Sequence, residues 1–230
     1  MINLVTALSL IDDQYIEMIK SIERLMDINI EMIKGEEFNL QLFGESKAIE
    51  DRINRLDLEI REDSIVALAR FQPAASDLRK LIMMADSARL LERMGDLLKA
   101  NLMLLKNIEE DSPHLKFAFT KDLLPMVVKI KALLTSYIKA YIDNDENILY
   151  AIVALDEEID GMTNVNCKNY ISYMEEEKEN IKGGTELYLI DKKFERISDH
   201  IVHLAKDLIY ILNGKNLRKI ELLMKAKENQ

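Results

Sequence analysis

The chain has 230 residues, with only 7 glycines and 3 prolines, no tryptophan, and a formal net charge of -10. This composition is typical of an all-helical protein, and the scarcity of glycine argues against phosphate-binding loops, dinucleotide-binding turns and sheet hairpins. The negative charge argues against nucleic-acid binding, because that affinity comes from lysine and arginine side chains that neutralise phosphates.

Apolar residues recur at helical spacing along most of the chain, and this periodicity predicts six long helices. The predicted helices are Leu4–Lys34, Glu45–Arg70, Pro73–Asn107, Asp122–Ile142, Asp145–Glu177 and Thr185–Asn213. Pro73 suits the first turn of the third helix, where its missing N–H costs nothing. The longest predicted break is Glu109–Asp122. The run Lys182–Gly184 is predicted to precede the sixth helix, with Thr185 as its N-cap and Gly214 just past its end.

The two halves of the chain resemble each other. The heptapeptide LERMGDL (Leu91–Leu97) returns as FERISDH (Phe194–His200), and AIEDRINRL (Ala48–Leu56) returns as ALDEEIDGM (Ala154–Met162). A period of about one hundred residues indicates an internal duplication rather than a short-repeat solenoid. We therefore predict an all-α fold of two tandem three-helix bundles related by a pseudo-twofold axis. The predicted divisions are a first repeat at 1–108, a linker at 109–121, a second repeat at 122–214 and a tail at 215–230.

Acidic residues in the second half repeat at one-turn spacing. Glu195 and Asp199 lie at i and i+4 on one helix face, and His203 continues the same stripe. Asp156 and Asp160 form a similar pair on the fifth predicted helix. If this helix packs antiparallel to the sixth, the four carboxylates face each other, an arrangement that can hold iron, manganese or zinc.

The first half carries a weaker version of the same pattern. Glu92 and Asp96 are again at i and i+4, and the facing segment offers Glu50 and Asn54. Asn54 is neutral, so a metal site in this half is expected to be weaker.

The acid pairs also have an interpretation without metal. The chain contains 41 acidic residues, so pairs at this spacing arise often by chance on helices. Arg93 and Arg196 each follow an acid directly, and ion pairs with the carboxylates would remove the need for a metal ion. His114 and His200 are predicted to be ordinary surface residues.

The single cysteine, Cys167, makes no internal disulfide and fits a reducing cytoplasm. The apolar stretch Ile2–Ile11 lacks the basic region and the cleavage site of a signal peptide. No window approaches the roughly 18 uncharged apolar residues of a membrane span. We therefore expect a cytoplasmic protein that reaches a membrane only by docking on protein partners.

Two long phrases resemble the PhoU family of phosphate-signalling proteins. RFQPAASDLRKLIMMADSARLLERMGD (Arg70–Asp96) is similar to the family's aromatic-Gln-Pro, Asp-Leu-Arg and Leu-Glu-Arg-Ile-Gly-Asp elements. FERISDHIVHLAKDLIYILNGK (Phe194–Lys215) is similar to the family's ending, Glu-Arg-Ile-x-Asp-His followed by Ile-Tyr-x-x-x-Gly. The length and the two-repeat plan also match, so the resemblance covers nearly the whole chain.

The resemblance implies a cytoplasmic, usually dimeric pair of three-helix bundles that is not an enzyme. Family members act with the phosphate-specific ABC transporter, here through its ATPase subunit, and with a sensor histidine kinase. They restrain phosphate-starvation signalling when phosphate is plentiful. Some members bind iron or zinc clusters through acid-x-x-x-Asp motifs. Carried onto this sequence, the metal positions are Glu195, Asp199, Asp156, Asp160, Glu92, Asp96 and Glu50, with His203 as an added candidate ligand.

The sequence departs from the family pattern at several of these positions. Asn54 stands where an Asp is expected, and Ala100 stands where an Asn is frequent. His203 takes the place of Ala100 in the second repeat, and Met103 and Lys206 stand where acids are common. These departures put the first metal site in doubt and affect the metal preference of the second.

Two other functions remain open. A di-metal carboxylate enzyme of the ferritin-like kind needs a Glu-x-x-His phrase on two helices. Here Ile197, not Glu, precedes His200 by three residues. A helical adaptor for an unrelated membrane partner would share every bulk property of this chain, and only the motif match separates the two.

Overall fold

The structure is a computed structural model that describes residues 3–217 and 219–220, without the side chain of Asp156. In this described part the chain forms helices and connecting turns only. The α-helices are α1 (Leu4–Lys34), α2 (Leu40–Phe71), α3 (Ala75–Asp111), α4 (Leu124–Asp143), α5 (Glu146–Ala154), α6 (Asp156–Glu176) and α7 (Asn180–Asn213). A 3₁₀ turn (Pro113–Lys116) and a π-helical turn (Phe119–Leu123) connect α3 to α4. Most of the predicted tail at 215–230 lies outside the described residues.

Polar side chains set several of the helix starts. The Asn3 side chain accepts a hydrogen bond from the Thr6 N–H at the start of α1. Asn39 does the same for two N–H groups at the start of α2, and Asp145 for two at the start of α5. These contacts satisfy donors that the first turn of a helix leaves unpaired. At the other end of the chain, Gly214 (φ 78°) ends α7 in the left-handed conformation, as predicted.

Two three-helix bundles pack side by side. Helices α1 to α3 form the first bundle, and α4, α5 with α6, and α7 form the second. The bundles meet where α3 contacts α7 and α1 contacts α4. Helices α3 and α7 are antiparallel: Arg79 near the start of α3 donates to the Ile211 carbonyl near the end of α7 (3.1 Å), and Lys182 contacts Asp111 (2.6 Å) at the other end. The buried apolar residues of both bundles form one core. The predicted fold class is confirmed.

A buried pair of tyrosines links the two bundles. The hydroxyls of Tyr15 on α1 and Tyr137 on α4 lie 2.7 Å apart, and both side chains are buried. Burial raises the pKa of both hydroxyls above the ordinary tyrosine value. Both groups are therefore neutral, and they share a hydrogen bond in the core.

Replacing Tyr137 with phenylalanine is expected to lower the free energy of unfolding by about 1 kcal/mol, because it removes one buried hydrogen bond. The double variant Tyr15→Phe/Tyr137→Phe is expected to cost less than the sum of the two single changes, since neither partner is then left alone. Urea unfolding measures all three. Tyr150→Phe, at a more exposed position, is the matched control. Strict additivity of the single effects would contradict the coupling.

The predicted fifth helix is wrong in one respect, because it is two helices. The chain bends at Leu155, so that α5 packs against α4 and α7 while α6 runs along α7. Neither glycine nor proline marks this bend. The apolar period continues through it, so periodicity alone predicts an unbroken helix.

The other boundary differences lie at the predicted breaks. Helix α7 begins at Asn180 and contains Gly183 and Gly184, so the predicted N-cap at Thr185 is wrong; the Thr185 hydroxyl instead donates to the Ile181 carbonyl (2.7 Å). Helix α3 begins at Ala75, beyond Pro73, after the left-handed residue Gln72 (φ 45°). The predicted break at 109–122 is mostly helical, because α3 continues to its C-cap at Ser112 and the 3₁₀ and π turns follow.

Candidate functional site

The predicted acids of the first repeat meet between α2 and α3. Glu50 on α2 faces Glu92 and Asp96 on α3, and Asp57 lies two turns farther along α2. Glu50 and Asp57 are only 6% and 7% exposed. Gly95 lets the two helices approach closely, because a Cβ at this position would lie 3.3 Å from Ile53 Cδ1. We call these four carboxylates the first-repeat acid cluster.

Glu50 is held by two donors. Lys99 Nζ lies 2.6 Å from Glu50 Oε2, and Asn54 Nδ2 lies 3.0 Å from Glu50 Oε1. Burial by itself raises the pKa of Glu50, but the hydrogen bonds from Lys99 and Asn54 outweigh it, so the pKa lies below its ordinary value. Glu50 is therefore an ionised carboxylate with a bound ammonium group.

The two acids on α3 are less well compensated. Loss of solvent raises the pKa of Glu92, and the charges of Asp96 and Asp57 raise it further. Loss of solvent and the neighbouring Glu50 likewise raise the pKa of Asp96. The cluster thus carries more negative charge than its neighbours neutralise.

Two side-chain oxygen atoms at the cluster, one in Asp57 and one in the neighbouring Asn54, are buried without a hydrogen-bond partner among the described residues. They are Asn54 Oδ1 and Asp57 Oδ1. The other carboxylate oxygen of Asp57 accepts a hydrogen bond from Arg61 at 3.1 Å. Unpaired buried acceptors are uncommon in folded proteins, so these oxygens are available to a cation or to water.

The second repeat places its predicted acids differently. Glu195 accepts a hydrogen bond from Lys192 Nζ at 2.7 Å, one turn earlier on α7. Asp160 on α6 is exposed, whereas Asp199 and His203 are half-buried on α7. The Asp156 side chain lies outside the described residues, so the predicted facing of four carboxylates is not tested.

The predicted ion pairs of Arg93 and Arg196 with the neighbouring carboxylates do not form among the described residues. Within the described part of the chain, Arg93 and Arg196 make no ion pair, and both are exposed. Two lysines pair with predicted acids instead: Lys99 with Glu50, and Lys192 with Glu195. Ion pairs therefore do neutralise two of the predicted acids, but the cations are lysines rather than the predicted arginines.

His200 is not the ordinary surface residue that the sequence predicts. Both of its ring nitrogens are buried, and neither has a hydrogen-bond partner among the described residues. Burial lowers the pKa of His200 to about 4, with further lowering by His203, Arg196 and Arg93. The ring is therefore neutral at physiological pH. His114, by contrast, is exposed, with Nε2 2.6 Å from the Asn180 side-chain oxygen.

A metal ion does not fit the described side chains. Among them, no group of three or more His, Cys, Asp or Glu residues is placed to hold one. In the first repeat, an ammonium group lies on Glu50, the most buried of the predicted ligands. Metal ligation by the remaining predicted residues stays a prediction, and no step of the proposed function depends on it.

The sequence did not predict two residues of this site, the cluster acid Asp57 and the lysine that pairs with Glu50, Lys99. Asp57 lies at i+7 from Glu50, and Lys99 lies at i+3 from Asp96, so both continue stripes that were already identified. Extending each stripe by one turn would have found them. The residues between the stripes are apolar and buried, and they bring the two helix faces together.

Comparison with known proteins points to one family. The family described as "PhoU domain" matches residues 16–102 and 123–208, one match for each repeat. A protein of Pseudomonas aeruginosa, named a phosphate-specific transport system accessory protein PhoU homolog, is 27% identical over 183 residues, which are 79% of this chain and 74% of that protein.

Solved structures show the same fold. The crystal structure of PhoU from Pseudomonas aeruginosa has a TM-score of 0.83 at 22% identity, covering 93% of this chain and 100% of that one. The phosphate transport system regulatory protein PhoU from Streptococcus pneumoniae has a TM-score of 0.78 at 21% identity, covering 93% and 98%. As for membrane spans, none of the helices in the described residues is long and apolar enough to cross a bilayer.

Proposed function

Because this chain belongs to the PhoU family, we propose that it is a cytoplasmic regulator of phosphate uptake and of phosphate-starvation signalling. The match of both repeats to the family carries this proposal. Relatives named as accessory proteins of a phosphate-specific transport system support a regulatory role rather than an enzymatic one. The regulator restrains the starvation response while phosphate is plentiful.

The proposed mechanism is docking on protein partners. The partners are the ATPase subunit of the phosphate ABC transporter and the sensor histidine kinase, and the chain acts as a homodimer. A net charge of -10 favours partners with basic surfaces, since complementary charge speeds association and discriminates between partners. The long antiparallel helices offer a rigid surface, because one apolar core connects both repeats.

Deletion of the gene tests this function directly. Cells without this chain are expected to express phosphate-starvation genes in high phosphate, and the wild-type chain is expected to restore repression. Capture of the tagged chain with the ATPase subunit and the histidine kinase is the second readout. Unchanged repression in the deletion strain would overturn the proposal.

The alternatives predict other outcomes of the same experiments. A helical adaptor for an unrelated membrane partner would be captured with that partner and would leave phosphate regulation intact. A di-metal carboxylate enzyme would show oxygen-consuming or hydrolytic activity when loaded with metal. The relatives, named as accessory proteins of a phosphate-specific transport system, support neither alternative.

Metal binding in the second repeat is tested by elemental analysis of natively purified protein. The sequence predicts stoichiometric iron, zinc or manganese that disappears in Asp156→Ala/Asp199→Ala, because two carboxylates of the predicted site are then lost. The control is Glu175→Ala/Glu179→Ala, which also removes two carboxylates, but from exposed positions outside the predicted site. Absence of metal from the wild type, or its retention in the first variant, would contradict the prediction.

A further inference from the structure

The duplication brings two arginines to the interface between the repeats. Arg93 on α3 and Arg196 on α7 occupy the same position of LERMGDL and FERISDH. These two helices are antiparallel neighbours, one from each repeat. Both arginine side chains are exposed, and neither makes an ion pair with a described residue. One guanidinium group from each repeat is therefore available to a ligand.

The packing of α3 on α7 places His200 beside both arginines. Two hydrogen bonds fix the register of these helices, Asn107 to Glu186 (3.2 Å) and Arg79 to the Ile211 carbonyl (3.1 Å). Arg93 lies midway between the two α3 residues of these bonds, and His200 lies close to the midpoint of the two α7 residues. Arg196 is one turn before His200 on α7, so it lies on the same helix face. Besides burial and His203, the charges of Arg196 and Arg93 lower the pKa of His200, which agrees with this placement.

His200 adds an unused hydrogen-bond donor between the arginines. Both of its ring nitrogens are buried without a partner in the described part of the chain. The neutral ring carries one N–H donor and one acceptor nitrogen. Unpaired buried groups of this kind are uncommon, because they have lost water without gaining a partner. We call Arg93, Arg196 and His200 the interface donor site.

The charge at this site is opposite in sign to that of the whole chain. The chain has a net charge of -10, yet the ionisable groups of the described residues that act on the His200 ring are the two arginines and His203. The acids of the repeated motif have other neighbours. Glu195 accepts a hydrogen bond from Lys192, and Glu92 faces the first-repeat acid cluster on the α2 side. The interface donor site therefore favours an anion.

We propose that the interface donor site binds a tetrahedral oxyanion of the phosphate class, held by one guanidinium group from each repeat and by the imidazole N–H of His200. A guanidinium group presents a planar fork of N–H donors that matches phosphate oxygens. The oxygens of a tetrahedral anion point in several directions, so they accept from donors on two facing helices. A planar carboxylate has only two oxygens in one plane. This binding goes beyond the regulatory function proposed above, and it can be measured without it.

The experiment is calorimetric titration of inorganic phosphate into the full chain at constant ionic strength. The wild type is expected to bind one phosphate. Arg93→Met and Arg196→Met are each expected to weaken binding about tenfold, because each removes a charged hydrogen-bond partner, and the double variant is expected to show no binding. Arg55→Met removes an exposed arginine of α2 outside the site and is the matched control. Acetate, a planar carboxylate, is expected to bind more weakly than phosphate.

Proton NMR of the three histidine rings locates the bound anion. Phosphate is expected to shift the His200 signals, which are assigned by their absence from His200→Leu. The signals of His114 are expected to stay unchanged, since its Nε2 lies 2.6 Å from Asn180 Oδ1, outside the site. His200→Leu introduces the residue that the first repeat has at this position, Leu97, so the fold is expected to be retained, and circular dichroism checks this.

Four results would overturn the proposal. The first is a wild type without saturable phosphate binding, and the second is binding that persists in Arg93→Met/Arg196→Met. The third is equal weakening by Arg55→Met, because net charge rather than a site would then control binding. The fourth is acetate binding as tight as phosphate binding, because the anion class is then wrong. Unchanged His200 signals on phosphate binding would remove the imidazole from the site.

Discussion

Replacing Gly183 with valine is expected to lower the free energy of unfolding by about 3 kcal/mol, near the upper end of the usual cost of overpacking a core. Gly183 lies inside α7, where a Cβ would come within 2.6 Å of Ser112 Cβ and 2.8 Å of Leu115 Cδ1. Ser112 and Leu115 are themselves buried. The added atoms therefore have no room unless the connection between the two repeats moves.

Replacing Gly183 with alanine separates the effect of packing on stability from the effect of helix propensity. Alanine normally stabilises a helix relative to glycine by up to about 1 kcal/mol. Gly161→Ala in α6 is the matched control, because nothing lies within 4 Å of a Cβ there, and it is expected to stabilise the protein. Gly183→Ala is expected to destabilise it instead. Urea unfolding measures the stability of both variants. If Gly183→Ala stabilises the protein as Gly161→Ala does, the steric argument is contradicted.

A compensating change adds a positive test. Ser112→Gly removes the Cβ and the hydroxyl that lie closest to the new atom at position 183. The double variant Ser112→Gly/Gly183→Ala is expected to recover part of the stability lost in Gly183→Ala, because the closest contact is then gone. If the double variant loses as much stability as the two single variants added together, positions 112 and 183 do not contact each other.

Gly183 is also a position where the sequence predicts the wrong helix boundary, because it lies inside α7 rather than before it. The bounds of α1 follow from sequence, since an unbroken apolar period ends at Gly35, and the structure has the same bounds, Leu4–Lys34. Two adjacent glycines weaken a helix, but they remain helical where close packing against another segment requires small side chains. In α7 the small side chains allow a close approach between helix and turn, a contact between distant residues that periodicity does not encode.

The candidate site was also predictable only in part, because some of its contacts join residues that are distant in the sequence. Helical spacing is local, so it correctly places Glu92 and Asp96 on one face, and duplication points to Glu50 on the neighbouring helix. The partner of each acid depends on side-chain reach across the helix interface. Lys99 reaches Glu50, while Arg93, next to Glu92 in sequence, points to solvent and makes no ion pair in the described part.

The second large effect is expected at Asp191, a buried carboxylate of α7 that is 0% exposed. Its Oδ2 accepts hydrogen bonds from Asn166 Nδ2 (2.8 Å) and from the Tyr170 hydroxyl (3.1 Å). Its Oδ1 has no hydrogen-bond partner among the described residues. Burial raises the pKa of Asp191 to about 6, and the nearby charge of Glu195 adds to the increase.

The direction of the pH effect follows from this raised pKa. An aspartate in the unfolded chain has a pKa of about 3.9, so between pH 4 and pH 6 the folded protein holds a proton that the unfolded chain releases. The free energy of unfolding contributed by this group is therefore greatest below about pH 4 and is lost as pH rises through about 6. A difference of about two pKa units corresponds to about 3 kcal/mol.

Asp191→Asn removes the titration while keeping an oxygen that accepts from Asn166 and Tyr170. The free energy of unfolding of the wild type, minus that of this variant, is expected to fall by about 3 kcal/mol between pH 4 and pH 7.5. Urea unfolding at half-unit pH intervals measures this difference. Asp143→Asn, at an exposed position, is the matched control, and its curve is expected to run parallel to that of the wild type. A parallel curve for Asp191→Asn as well would mean that Asp191 stays ionised in the core throughout this range, stabilised by its two donors against the cost of burial.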